Sequence, residues 1–557
     1  MRKRTSLDGL WQWIIDPHER TVTEAKTGYI LDESPGYLRD VKNRFVDTLY
    51  PPDWRKIRIP CTWNTAKDEL RYYDGAVLFQ REFEASAPKK GRRIFLQFEA
   101  GFYETRVFLN GKAVGEHRGG FTPFQFDVTP LIRNGRNRLN VWVDSRRRPE
   151  RLPCEVTDWF NYGGIYRSVF LEERDENHLS DFFCRYANGA VVVEIETAGK
   201  LHGVAHFRIP ALKTDREIEI RNGRGRVRIP CEPVLWTPAA PRLYRVECSF
   251  GNDVVTERVG FRTIETRDGR IFLNGSPIKL KGISLHEEAG ERGRALTKKD
   301  RNRIFDIATE LGLNFLRLAH YPHAREMAVE ADRRGFLLWE EIPVYWRIQF
   351  ANKETYADAA NQLTELIKRD RNRCSVAMWS VGNETPQEVE NRTRFLGDLA
   401  DLARKLDPSR PVVAAIFAAR KGDRIVVADP LAENLDIFGV NRYGGWYEGT
   451  YDDFRRLENP RYPDKPILIS EFGAAAKKGL HGRKKFAEEY QRTVYKHTLA
   501  AIKRNPCVQG CTPWILFDFR SPNRLNRHQN GWNRKGLVDA DRKRRKLAFH
   551  TYKNWSF

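Results

Sequence analysis

Between residues 279 and 514 the chain repeats one pattern: a short apolar run, a break, and in most intervals a stretch with helical spacing. The apolar runs fall at 279–282, 315–319, 336–340, 376–381, 412–415, 437–440, 467–470 and 510–514. In the first interval Thr297 and Asp300 have the spacing of a capping box, Ile304, Ile307, Ala308 and Leu311 share one helical face, and Gly312 supplies a stop. A second helix is expected over 324–334, with Gly335 as its stop. Eight strands alternating with helices predict a parallel (β/α)8 TIM barrel occupying residues 263–557. A doubly wound sheet competes with it, but no Gly-rich phosphate loop supports that arrangement.

The remaining residues need cores of their own, because 557 residues exceed what one hydrophobic core holds together. Strands are expected at 93–99, 104–109, 138–143 and 168–172, with Asn110-Gly111 as a hairpin turn. No helical periodicity separates them, so residues 1–175 read as a jelly-roll β-sandwich. Strands at 190–195, 204–209, 225–229 and 242–250 make 176–262 a second, immunoglobulin-like β-sandwich.

Composition narrows the function without deciding it. The aromatic share of 12%, with 14 Trp, suits stacking against pyranose faces and equally suits sandwich cores. The net charge of +22 admits nucleic acid, acidic lipid or acidic polysaccharide as partner. No nucleic-acid-binding motif accompanies the charge, so nucleic acid is set aside. The dense run Arg542-Lys543-Arg544-Arg545-Lys546 reads by default as a solvated basic surface. The eight cysteines are dispersed and only Cys507 and Cys511 lie close, which argues for reduced thiols in a cytoplasmic protein rather than a zinc site. Met1-Arg2-Lys3-Arg4 is followed by no apolar segment of signal-peptide type, and no run is long enough to cross a bilayer. Neither export nor a membrane partner is expected.

Active sites of such barrels lie at the C-terminal strand ends. The fourth strand ends in Asn383-Glu384 and the seventh in Ser470-Glu471. A glutamate directly after a buried run is costly unless paired or functional. One alone reads as an ion pair, but two at matching places across the barrel mouth suggest the paired carboxylates of glycosidic cleavage.

The segments Trp379-Ser380-Val381-Gly382-Asn383-Glu384 and Ser470-Glu471-Phe472-Gly473 resemble the acid/base and nucleophile motifs of family 2 glycoside hydrolases. Leu7-Asp8-Gly9-Leu10-Trp11 and Gly119-Gly120-Phe121-Thr122-Pro123-Phe124 resemble elements of that family's N-terminal sandwich, so the likeness spans nearly the whole chain. It implies a retaining exo-acting enzyme with Glu384 as general acid/base and Glu471 as nucleophile, and with neither metal nor organic cofactor. Asn383 would bind the sugar 2-hydroxyl. His286 and His320 would lie at sugar-contacting strand ends, and His320 with His323 reads as structural or sugar-contacting rather than metal-binding. A homo-oligomer, dimer or tetramer, is also implied.

Within the family the features resemble β-glucuronidases. Asp158 sits in a loop like the one that reaches the sugar, and Tyr443 and Tyr447 lie in a motif that lines the pocket. Asn533-Arg534-Lys535 matches the Asn-x-Lys motif that holds a substrate carboxylate, close after Trp514 at the eighth strand. The resemblance therefore implies release of terminal β-D-glucuronic acid from glucuronides or acidic oligosaccharides. Three departures stand out: Gln529 where relatives carry Arg, Thr157 where they carry His, and a short connection from 343 to 361. They leave a β-galacturonidase open, a β-galactosidase less so. From a different class, a non-catalytic carbohydrate-binding relative is the alternative.

Overall fold

The computed structural model describes residues 2–16 and 54–557, together with the backbone of Ile30–Leu31 and Leu38–Arg39. The eight apolar runs become β1 (Leu280–Leu285), β2 (Phe315–Leu318), β3 (Leu337–Glu341), β4 (Val376–Asn383), β5 (Val412–Ile416), β6 (Ile437–Asn441), β7 (Ile467–Glu471) and β8 (Val508–Cys511). All neighbours pair in parallel, and β8 returns to β1 through Leu280↔Gly510 and Lys281↔Cys511, closing the barrel. The run expected to reach residue 514 leaves the ladder at Cys511. Its continuation still lies along β7, with Thr512 N donating to Ile469 O and Trp514 N to Phe472 O.

Helices α1 (Lys298–Glu310), α2 (Arg325–Arg334), α3 (Lys353–Asp370), α4 (Arg392–Leu406), α5 (Glu488–Lys503) and α6 (Leu547–Lys553) surround it. The capping box at α1 is formed, with Thr297 and Asp300 each accepting from the other's backbone N–H. Gly335 ends α2 in the left-handed region at φ 78°, which a Cβ would strain. Two intervals hold no α-helix. After β5 comes the antiparallel pair Ala418–Lys421 and Arg424–Val427, then a 3-10 turn at Pro430–Asn434; after β6 come the 3-10 turn Tyr451–Phe454 and the short strand Leu457–Glu458, which pairs in parallel with Arg424–Val427. Gly422 at the turn and Pro430 just beyond break helical continuity there. A small sheet of Ile264–Arg267, Arg270–Leu273 and Ser276–Pro277 precedes β1. Its Ile264, Ile271 and Leu273 pack with Leu280, Phe315, Leu337 and Met378 and plug the N-terminal end of the barrel.

The first sandwich stacks a four-stranded sheet on a six-stranded one, all antiparallel. The long central pair is Ala76–Ala85 against Gly135–Asp144. Alternation along these strands sends Val77, Phe79, Leu139, Val141 and Val143 into a core with Trp11 and Trp13. The second sandwich packs His178–Ala187, Ala190–Ala198 and Arg224–Pro230 against a four-stranded sheet around Phe207, Val246 and Phe261.

The first sandwich grips the barrel at its C-terminal mouth. Arg167 pairs with Glu287 at 2.6 Å, Phe160 N donates to Arg520 O, and Thr122 Oγ1 donates to Glu365 on α3. The run Arg542–Lys546, expected to be solvated, is mostly consumed inside the fold. Arg542 donates to Glu288 O, Arg544 pairs with Glu488 at 2.9 Å and Arg545 with Glu310 at 2.6 Å. Lys546 is fully buried and pairs with Asp518 at 2.7 Å. The basic cluster is thus a clamp tying the chain end to α1, α5 and the β8 loop. Among the described residues no helix is long and apolar enough to cross a membrane.

Candidate active site

The barrel brings Glu384 and Glu471 to one mouth because β4 and β7 run parallel to the same end of the closed ring, with β5 and β6 between them. The β4–β5 register slips between Ser380 and Asn383, and the β6–β7 register slips between Val440 and Asn441. Such bulges re-aim the side chains that follow them. Glu384 itself lies in the left-handed region at φ 49°, held by its N–H to Ala415 O at 2.9 Å. A non-glycine residue there costs roughly 1–2 kcal/mol, and such strain clusters at functional sites. Gly473, two residues after Glu471, has no room for a Cβ: the Trp514 carbonyl would lie 2.6 Å away.

The two carboxyls are held differently. Glu471 accepts from Arg317 Nη1 at 2.9 Å and from Tyr443 OH at 2.6 Å. Arg317 is 0% exposed and also bridges to Glu341 at 3.2 Å, so one buried guanidinium sits between two carboxylates. Glu384 accepts from Trp346 Nε1 at 2.8 Å and Asn441 Nδ2 at 3.1 Å, both neutral donors. Its desolvated setting, and then the charge of Glu471, push its carboxyl up to about 7. Burial beside a second carboxyl is how a site keeps one carboxylic acid protonated near neutral pH.

Asn383 accepts on Oδ1 from Arg317 Nη2 at 2.6 Å and from Asn441 Nδ2 at 3.2 Å. Its Nδ2 is buried without a partner, a free donor beside both glutamates. His320 donates through Nδ1 to the Glu341 carboxylate at 2.8 Å and places Nε2 3.8 Å from Glu471. Its ring stacks on Trp514 at 4.8 Å. His286 meets Tyr321 OH through Nδ1, leaves Nε2 unpartnered, and is held well below its usual pKa, first by burial and then by His320. His323 is turned onto Ala319 O.

A second cluster forms one wall. Asp158, from the first sandwich, is saturated: it accepts from Ser521 Oγ, Asn533 Nδ2 and twice from Arg524. Arg524 also donates to Tyr447 OH at 2.8 Å, and Lys535 Nζ donates to the same oxygen at 2.6 Å. The Tyr447 ring is about half exposed; partial desolvation opposes ionisation of its hydroxyl, but Lys535 and Arg524 outweigh that and draw it below its usual range. Lys535 is 1% exposed, lies over the Tyr443 and Tyr447 rings, and among the described residues forms no ion pair.

All eleven residues singled out from the sequence therefore gather at the mouth. Asp158 spends its acceptor capacity on protein donors, which makes it a holder of Arg524 and Asn533. Arg317, Glu341, Trp346, Asn441 and Arg524 belong to the same network and had no role assigned from the sequence. Arg317 had a readable signal, a charge inside the apolar strand Phe315-Leu316-Arg317-Leu318, the same anomaly that marked the glutamates. The pairing of Arg524 with Asp158 spans 366 residues and had none.

Known proteins share this architecture. Residues 264–557 match the model for the TIM barrel domain of glycosyl hydrolases family 2, and residues 4–174 match that family's sugar binding domain. A β-glucuronidase of Bacteroides fragilis is 30% identical over 90% of this chain and 79% of its own. A β-glucuronidase structure from an uncultured Clostridium superimposes with a TM-score of 0.83 at 27% identity, covering 99% of this chain and 97% of that one. A family 2 β-galacturonidase from Eisenbergiella tayi, bound to glycerol, superimposes with a TM-score of 0.84 at 25% identity over 100% and 96% of the two chains.

Proposed function

Since the chain belongs to glycosyl hydrolase family 2 and is a glycoside hydrolase, we propose that it releases a terminal β-linked uronic acid, β-D-glucuronic acid first, by double displacement through a glycosyl-enzyme. Glu384 is the general acid/base in this reading and Glu471 the nucleophile. Arg317 and Tyr443 hold Glu471 for attack on the anomeric carbon, while Glu384 protonates the leaving oxygen. Water then enters where the leaving group was, gives its proton to the Glu384 carboxylate, and displaces Glu471. The free Nδ2 of Asn383 is available to the 2-hydroxyl, whose hydrogen bonds strengthen in the transition state.

The observation that carries the uronic acid is Lys535. Among the described residues this ammonium, 1% exposed, has two aromatic faces and one phenol oxygen but no anion as partner, which is costly. A substrate carboxylate would complete it, with Arg524 beside it as a second cation. Gln529, where relatives carry Arg, is then compensated by Arg524 arriving from five residues earlier. A neutral hexose leaves Lys535 without an anion, while Arg524 keeps Asp158.

Galacturonic acid is the second reading, favoured by the structural likeness to a β-galacturonidase. The experiment is parallel hydrolysis of p-nitrophenyl β-glucuronide, β-galacturonide and β-galactoside. Turnover of a uronide at least about a hundredfold above the galactoside is expected, on the scale of one charge-assisted contact. Fast turnover of the galactoside alone contradicts the reading.

A further inference from the structure

Trp346 stands at an unusual place in the backbone. It is in the left-handed region at φ 55°, as is Glu384 at φ 49°, and its indole N–H donates to that glutamate. The connection after β3 keeps pairing with the end of β4: Asn383 N donates to Val344 O and Trp346 N donates to Asn383 O. The indole stacks on Tyr345 at 4.5 Å, and Tyr345 is wedged against Trp159 and His320, each at 4.8 Å. The amide of Asn441 is fixed as well, since its Oδ1 accepts from Ser470 Oγ at 2.6 Å and leaves Nδ2 for Glu384.

Both oxygens of the Glu384 carboxyl thus receive a donor that cannot accept in return. A proton on this carboxyl finds no acceptor in either direction. It is left to point into the open mouth.

We propose that Trp346 is a positioning residue for the acid: its N–H aims the Glu384 proton at the leaving oxygen and stabilises the carboxylate that remains. In the step, the Glu384 O–H bond breaks and its proton goes to the leaving oxygen. The C1–O electron pair goes to the same oxygen as Glu471 bonds to C1. This rests on the assignment of Glu384 as the acid. The charged and titratable groups facing Glu384 are Glu471 on β7, Arg317 on β2, Tyr345 after β3 and Tyr443 after β6. None of them replaces the indole as a donor to that oxygen.

The test is kcat/KM against pH on p-nitrophenyl and methyl β-glucuronide. Variants are Glu384→Gln, Trp346→Phe, Trp346→His and Trp346→benzothienylalanine, which keeps the ring shape without the N–H. The wild-type rate is expected to fall above pH about 7, because the acid must be protonated. Loss of the donor disfavours the carboxylate, so in Trp346→Phe that limb moves up by about one pH unit. Turnover of the methyl glycoside, which needs its leaving oxygen protonated, falls about tenfold more than that of the nitrophenyl glycoside. Trp346→His restores part of both effects. If Trp346→Phe does not fold, the benzothienylalanine variant gives the same readings. A limb and a substrate ratio unchanged in a folded variant overturn the role of Trp346 alone. A limb that persists in Glu384→Gln removes Glu384 as the acid, and the inference with it.

Discussion

Glu471→Ala is expected to stop turnover of a β-uronide, lowering kcat on the order of 10^5-fold or more, the scale seen when a covalent nucleophile is removed. The fold should survive the change. Arg317 keeps Glu341 as a partner, so the guanidinium is not left buried without an anion. The substitution opens a small space facing the anomeric carbon, and azide can attack there in place of the carboxylate. With Glu384 intact, the expected product is the α-glycosyl azide, formed with one inversion. A variant with near-normal activity, or one whose azide product is the β-anomer, removes Glu471 from the role.

Lys535→Ala has the next largest expected effect, and it is selective. The substrate carboxylate would lose a buried charge-assisted contact, about 3 kcal/mol, or a hundredfold or more in kcat/KM on the uronide. A neutral β-glucoside presents a hydroxymethyl group in that place and should change no more than about threefold. Tyr447 loses one of the two cations on its hydroxyl but keeps Arg524. The ratio of the two losses is what matters. Equal losses on both substrates would make Lys535 a structural element of the wall and take the uronic acid out of the account.

The barrel was legible because its signal is repeated: eight apolar runs with a constant rhythm are hard to mistake, and their ends name the mouth. Glu384 and Glu471 were visible for the same reason, as charges placed where burial penalises them. What escaped was set by local chemistry or by distance along the chain. The β-hairpin after β5, which the rhythm of apolar runs did not reveal, forms because Gly422 turns the chain back within a few residues. The basic run 542–546 resembled a solvated patch, since nothing in five consecutive cations shows that Glu488, Glu310 and Asp518 wait for them in the fold. Trp346 looked like one aromatic among many until its backbone conformation and its bond to Glu384 were seen together.

Asp158, expected to contact the ligand, also has a structural task. It does lie in a loop that reaches the pocket, but its oxygens are filled by Ser521, Arg524 and Asn533. The first sandwich thereby contributes the anchor that sets the direction of two wall residues. This ties the wall to the docking of sandwich on barrel.

Double displacement at this pair of glutamates is tested most directly by proton NMR of p-nitrophenyl β-glucuronide hydrolysis, followed from the first turnovers. The account expects β-glucuronic acid as the first-formed anomer, with the α-anomer growing in only as mutarotation proceeds. Appearance of the α-anomer first would mean a single displacement by water and would contradict the assignment of Glu471 as nucleophile.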